Sequence, residues 1–64
     1  MMDRKILEAR VRQLLAADQN ALAIYTELAE LTTDKELRAS FLGVIKDEKR
    51  HAILDQEILT LLEA

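Results

Sequence analysis

From Leu7 onward the apolar positions fall at Leu7, Val11 and Leu14, then at Ala21, Tyr25 and Leu28. Steps that alternate between four and three are those of a helix packed against other helices. Position 18 interrupts the series with Asp18, between Leu14 and Ala21. The pattern ends at "AELTTDKEL", where Thr33 can cap a new helix and Glu36, three residues later, can complete a capping box. A second series then runs Leu37, Phe41, Val44, Glu48, His51, Asp55, Ile58 and Leu62, again with polar residues at its middle. A connection this short forces the two helices antiparallel. The pattern therefore predicts an all-α fold, a single antiparallel helical hairpin over 1-64, with helix 1 at about 4-31 and helix 2 at about 34-62. Gly43 lies inside the second helix, read either as the site of a close helix approach or as a tolerated surface glycine.

Composition sharpens this picture. The chain has 64 residues, 50% hydrophobic and 33% charged, with one glycine and neither proline nor cysteine. Such a chain buries too little surface alone, and lacking disulfides it needs a metal or a partner subunit. Both apolar seams are too wide for one partner helix, so the hairpin is expected to form a homodimer or larger homo-oligomer, its unit a four-helix bundle. The formal charge of −3 leaves no basic stripe for phosphates, which argues against nucleic acid. No apolar run approaches the roughly 20 residues of a membrane span, and the first residues lack the core of a signal peptide, so the expected location is cytoplasmic. The absence of cysteine excludes thiolate-ligated zinc, iron–sulfur clusters and a thiol nucleophile.

The chemistry lies in the polar interruptions. At about 100° per residue, Glu48, His51 and Asp55 fall within roughly 60° of one another around the helix axis. Asp18 sits about thirteen residues before the connection and Glu48 about fifteen after it, which places them at similar height in an antiparallel pair. A dimer would gather two copies of all four residues at its centre, a concentration of carboxylate charge that only protons or cations make tolerable. Carboxylates with one imidazole per metal suit iron, or manganese as the alternative, and two helices carrying Glu-x-x-His opposite two carrying one carboxylate suit a dinuclear site. Glu48 and His51 are the strongest ligand candidates and Asp18 the third, its other reading being a buried polar residue that sets helix register. Asp55, one turn after His51, has three open readings: a partner for the second imidazole N–H, a direct ligand, or a solvated edge of the seam. Tyr25 reads equally as core or as a hydrogen-bond partner of a ligand carboxylate. Glu27, Glu30, Asp47 and Glu57 fall off the seams, onto the solvated face.

The stretch "DQNALAIYTELAELTTDKELRASFLGVIKDEKRHAILDQEILTLL" resembles the rubrerythrin-like branch of the ferritin-like superfamily. Proteins of that branch carry a carboxylate seven residues before a tyrosine on one helix and Glu-x-x-His on the next, and Asp18, Tyr25, Glu48 and His51 stand at the matching positions. The two-helix form is most similar to the encapsulated ferritins, in which two subunits build one di-iron site across their interface. The resemblance implies a ferroxidase-type oxidoreductase that binds ferrous iron, with Glu48, His51 and Tyr25 at the reacting centre and Asp18, Glu48 and His51 as ligands. It further implies an encapsulin-type shell as a partner, and residence inside such a nanocompartment. Asp18 departs from the family's glutamate by one methylene, leaving open direct ligation, ligation through water or no ligation. The competing expectation, from another class, is a metal-free hairpin that dimerises or docks on a larger protein, its polar seam residues setting register.

Overall fold

The structure, a computed structural model, describes residues 3–64. Two helices account for nearly all of it, α1 at Arg4–Leu31 and α2 at Lys35–Glu63. They lie side by side in a rod of 48 × 16 × 14 Å, about the length of one such helix and the thickness of a single layer of two. Neither helix is long and apolar enough to cross a membrane.

Each helix begins at an aspartate. Asp3 accepts a hydrogen bond from Lys5 N at 2.8 Å, and Asp34 accepts one from Leu37 N at 2.8 Å. The second cap corrects the expectation for Thr33: Asp34 takes the N-cap, where aspartate outranks threonine because its carboxylate also meets the positive helix end. Leu37 then occupies the third helical position, so Glu36 falls out of capping-box register. Helix 2 accordingly starts and ends one residue later than the sequence pattern indicates.

The turn is closed by a residue that the pattern does not single out. Arg38, on the first turn of α2, reaches back to the C-terminal end of α1. There its Nε donates to Ala29 O at 3.2 Å and a terminal nitrogen donates to Thr32 O at 2.7 Å. Helix C-termini carry orphan carbonyls and a partial negative charge, and a guanidinium fork satisfies both at once. Arg38→Ala is expected to destabilise the fold by about 1–2 kcal/mol, with Arg38→Lys recovering part of the loss. Urea or thermal melting of the three proteins tests this, and an alanine variant as stable as the parent would contradict the staple. At the opposite end of the rod Arg12 bridges Glu8, at 2.9 Å, and Glu63 of α2.

The interface between the helices is thin. Its buried residues are Ala29, Ile45, Leu59 and Asp55, with Leu59 at 1% exposure the most enclosed. Val11, Leu15, Asp18, Leu22 and Tyr25 of α1 lie half-buried beside them, as do Phe41, Glu48 and Leu62 of α2. Tyr25 and Phe41 pack their rings at a centroid distance of 6.2 Å, tilted by 49°. This phase differs from the predicted seam. Leu7, Leu14 and Leu28 are exposed, Leu14 by 51%, and so are Leu37 and Ile58. Adjacent apolar pairs explain the shift. In Leu14–Leu15, Leu28–Ala29 and Ile58–Leu59, the second member faces the other helix while the first points about 100° away. Because the helices run antiparallel, these outward members emerge on the same side of the hairpin, with Leu28 toward the connection, Leu14 level with Leu54 of α2, and Ile58 and Leu61 toward the opposite end. Gly43 adjoins that side, and a Cβ built on it meets nothing within 4 Å, so the close-approach reading of this glycine finds no neighbour within the hairpin.

Candidate metal centre

The cluster sits near the middle of the rod because each helix carries its polar interruption halfway along an otherwise apolar face. Glu48 and His51 are three residues apart on α2, close to one turn, and Asp18 meets them from α1. Each of the three offers one ligand atom, and these atoms all lie within 4.8 Å of one another. Asp18 and Glu48 are half-buried, whereas His51 is exposed. The expected side-by-side placement of Asp18, Glu48 and His51 is thus present within one hairpin.

Asp55 lies deeper than any reading of the sequence required. It is 5% exposed, the one buried acidic residue among those described. Seven residues after Glu48, it lies on the same inner face of α2, where it faces Asp18 of α1. Two ionised carboxylates that face each other repel, and a proton or a cation between them relieves that repulsion. The Asp55 carboxyl is held above the ordinary aspartate range, first by hydrogen bonding toward Asp18, then by burial, then by the charge of Asp18. Glu48 adds a smaller push in the same direction and His51 opposes it. Two carboxylate oxygens in the cluster, Glu48 Oε2 and Asp55 Oδ2, are buried without any hydrogen-bond donor. An unsatisfied buried acceptor costs about 1–3 kcal/mol, more when charged, and a cation removes that cost.

A pH dependence follows. A carboxyl with a raised folded-state pKa binds its proton more tightly folded than unfolded, so its stabilisation is complete below the unfolded value of about 3.9 and is lost as pH rises through the folded value. In chelator, the metal-free parent is expected to lose melting temperature, relative to Asp55→Asn, as pH is raised from about 4 toward neutrality. Circular dichroism melts across that range test it, and parallel curves for the two proteins would contradict it.

The remaining sequence candidates fall where their spacing put them. Tyr25 is half-buried two turns nearer the loop than Asp18, with its ring against Phe41. Glu27, Glu30, Asp47 and Glu57 are exposed. His51 lies on the side that carries Leu54, Ile58 and Leu61, three, seven and ten residues after it, so the cluster opens onto the exposed apolar side of the hairpin. Such a donor set, oxygen-rich with one imidazole, is the chemistry that iron and manganese prefer.

No protein-family model matches the chain, and no curated protein or solved structure matches it either.

Proposed function

We propose that the chain is a ferritin-like iron-binding protein that takes up ferrous iron and oxidises it, working as a homodimer whose second copy covers the open side of the cluster. The observation that carries this reading is the conjunction of Asp18, Glu48 and His51 within 4.8 Å with two buried carboxylate oxygens that lack donors. A helical register device would leave those oxygens hydrogen-bonded; a cation site leaves them waiting.

Ferrous iron is the substrate. Asp18, Glu48 and His51 would hold it, the carboxylates through hard oxygens and His51 through a neutral imidazole nitrogen. Negative charge around the site favours the ferric over the ferrous state, so the same carboxylates assist loss of the electron. Two ferrous ions surrender one electron each; dioxygen takes both with two protons and becomes hydrogen peroxide, or peroxide takes both with two protons and becomes two waters. The apolar residues around the opening, once covered, exclude water and strengthen every electrostatic contact inside. Manganese remains the alternative metal on donor chemistry, and an encapsulin-type shell the further partner that the resemblance suggests.

The test is a metal analysis of aerobically purified protein, with absorbance-monitored oxidation of added ferrous iron. About one iron per chain and oxidation faster than in buffer are expected. Protein that neither retains nor oxidises iron would leave the second reading, a metal-free hairpin docking through its exposed apolar side.

A further inference from the structure

We infer that Asp55 is itself a cation ligand, acting jointly with Asp18, so that α2 offers three donors to the site: Glu48, His51 and Asp55. The inference rests on the metal-binding reading above and extends it to a residue that the Glu-x-x-His motif does not contain.

Three observations on this residue converge. Asp55 is 5% exposed, and among the described residues the buried set is otherwise Ala29, Ile45 and Leu59. Its Oδ2 has no donor. Its carboxyl faces that of Asp18, which belongs to the cluster with Glu48 and His51. The side chain therefore faces another acid and buries an oxygen that no donor meets. A structural aspartate in a helix interface normally meets an N–H, a hydroxyl or a guanidinium. The groups that face Asp55 from α1 and from its own helix are Asp18, Glu48 and His51, two acids and one imidazole.

The alternative placement, as the partner that receives the second N–H of His51, fits less well. The two residues are four apart and adjacent along α2, but His51 is exposed while Asp55 turns inward to Asp18. A divalent cation bridging Asp18 and Asp55 supplies what the interface lacks: positive charge between two buried acids, and a partner for the orphan oxygen. Asp55 stands outside the group of Asp18, Glu48 and His51 whose ligand atoms lie within 4.8 Å of one another, and Asp18, which it faces, is the carboxylate through which it joins the site. The chemical class is a hard divalent cation with some tolerance for nitrogen, manganese(II) or iron(II).

Asp55→Asn provides the test, because its amide keeps the shape and donates a hydrogen bond to Asp18 while deleting the charge. Manganese(II) serves as an air-stable probe, with free ion counted by electron paramagnetic resonance and melting followed with and without metal. The expected result has two opposite signs. Without metal, Asp55→Asn melts higher than the parent, by about 5 °C, since an orphan acid has become a donor. With metal, its affinity for manganese(II) falls at least tenfold and most of the metal-induced rise in melting temperature disappears. A residue that merely packs or positions Asp18 would leave affinity near the parent's, since the amide still holds Asp18 in place. Asp55→Asn that binds manganese(II) as the parent does, while His51→Ala does not, would overturn this inference and leave the metal-binding reading standing. A parent that binds neither manganese(II) nor iron(II) would overturn both.

Discussion

Leu14→Glu combined with Ile58→Glu is expected to dissociate the proposed dimer and, with it, to remove the proposed iron binding. Both side chains stand on the exposed apolar side of the hairpin, at 51% and 44% exposure, and neither contributes to the buried set between α1 and α2. The substitutions should therefore spare the hairpin's own contacts. Under a two-fold axis each change counts twice, and burying a large aliphatic side chain fully is worth about 1.5–3 kcal/mol. Forcing carboxylates into the same interface costs several more. Even half of that sum weakens the dimer at least about 10³-fold. Sedimentation velocity at low micromolar concentration reads the change directly. His51 lies on the same side as the substituted positions, so iron retention should fall together with the dimer. A parent that sediments as a stable, cooperatively melting monomer would remove the reason for a shared centre. A doubly substituted protein that stays dimeric would move the interface elsewhere.

Much of this architecture is legible in the chain, and the parts that are not have definite physical causes. The two helices follow from uninterrupted three-and-four spacing without proline, and the bounds of α1 fall at Arg4–Leu31 as the pattern predicts. The meeting of Asp18 with Glu48 and His51 follows from their equal distance from a short connection, because antiparallel helices of equal rise must match heights. The helical phase is less legible. Where two neighbours are both apolar, as in Leu14–Leu15 or Ile58–Leu59, periodicity marks the pair but does not tell which member meets the first neighbouring helix and which waits for another. The cap was ambiguous for a related reason, with Thr33 and Asp34 adjacent and both able to cap. Arg38 carried no periodic signal, since its role depends on how the chain turns back, although a basic residue one turn into α2 after so short a loop is within reach of the carbonyls of α1. Asp55 was visible as a member of the seam, but its depth was set by tertiary packing. It sits between Glu48 and Leu59 on the inner phase, while His51, one turn earlier, lies toward the outer one.

Substitution of the ligands themselves should separate the iron reading from the register reading most sharply. His51→Ala is expected to abolish ferrous oxidation above the buffer rate, because it removes the cluster's single imidazole while disturbing no buried contact. Its fold should survive, and circular dichroism should show unchanged helix content. Asp18→Ala should lose iron as well, since it takes away the one carboxylate that α1 contributes to the cluster. Asp18→Glu should retain iron: the added methylene lengthens the reach of a half-buried carboxylate toward Glu48 and His51 without changing its charge. In chelator, the order of stabilities should run against the order of iron affinities. Deleting Asp18 relieves the confrontation with Asp55 and leaves the apo hairpin more stable than the parent, a gain that an acid retained at position 18 does not bring. A residue kept only to set register would show the reverse pairing, with Asp18→Ala less uniquely folded and no change in metal content. Iron stoichiometry, oxidation rate and apo melting temperature, measured on the parent and these three variants, therefore distinguish the two roles. An Asp18→Ala protein that oxidises iron like the parent would end the case for Asp18 as a ligand. The same result for His51→Ala would end the case for an iron centre built on Glu48 and His51.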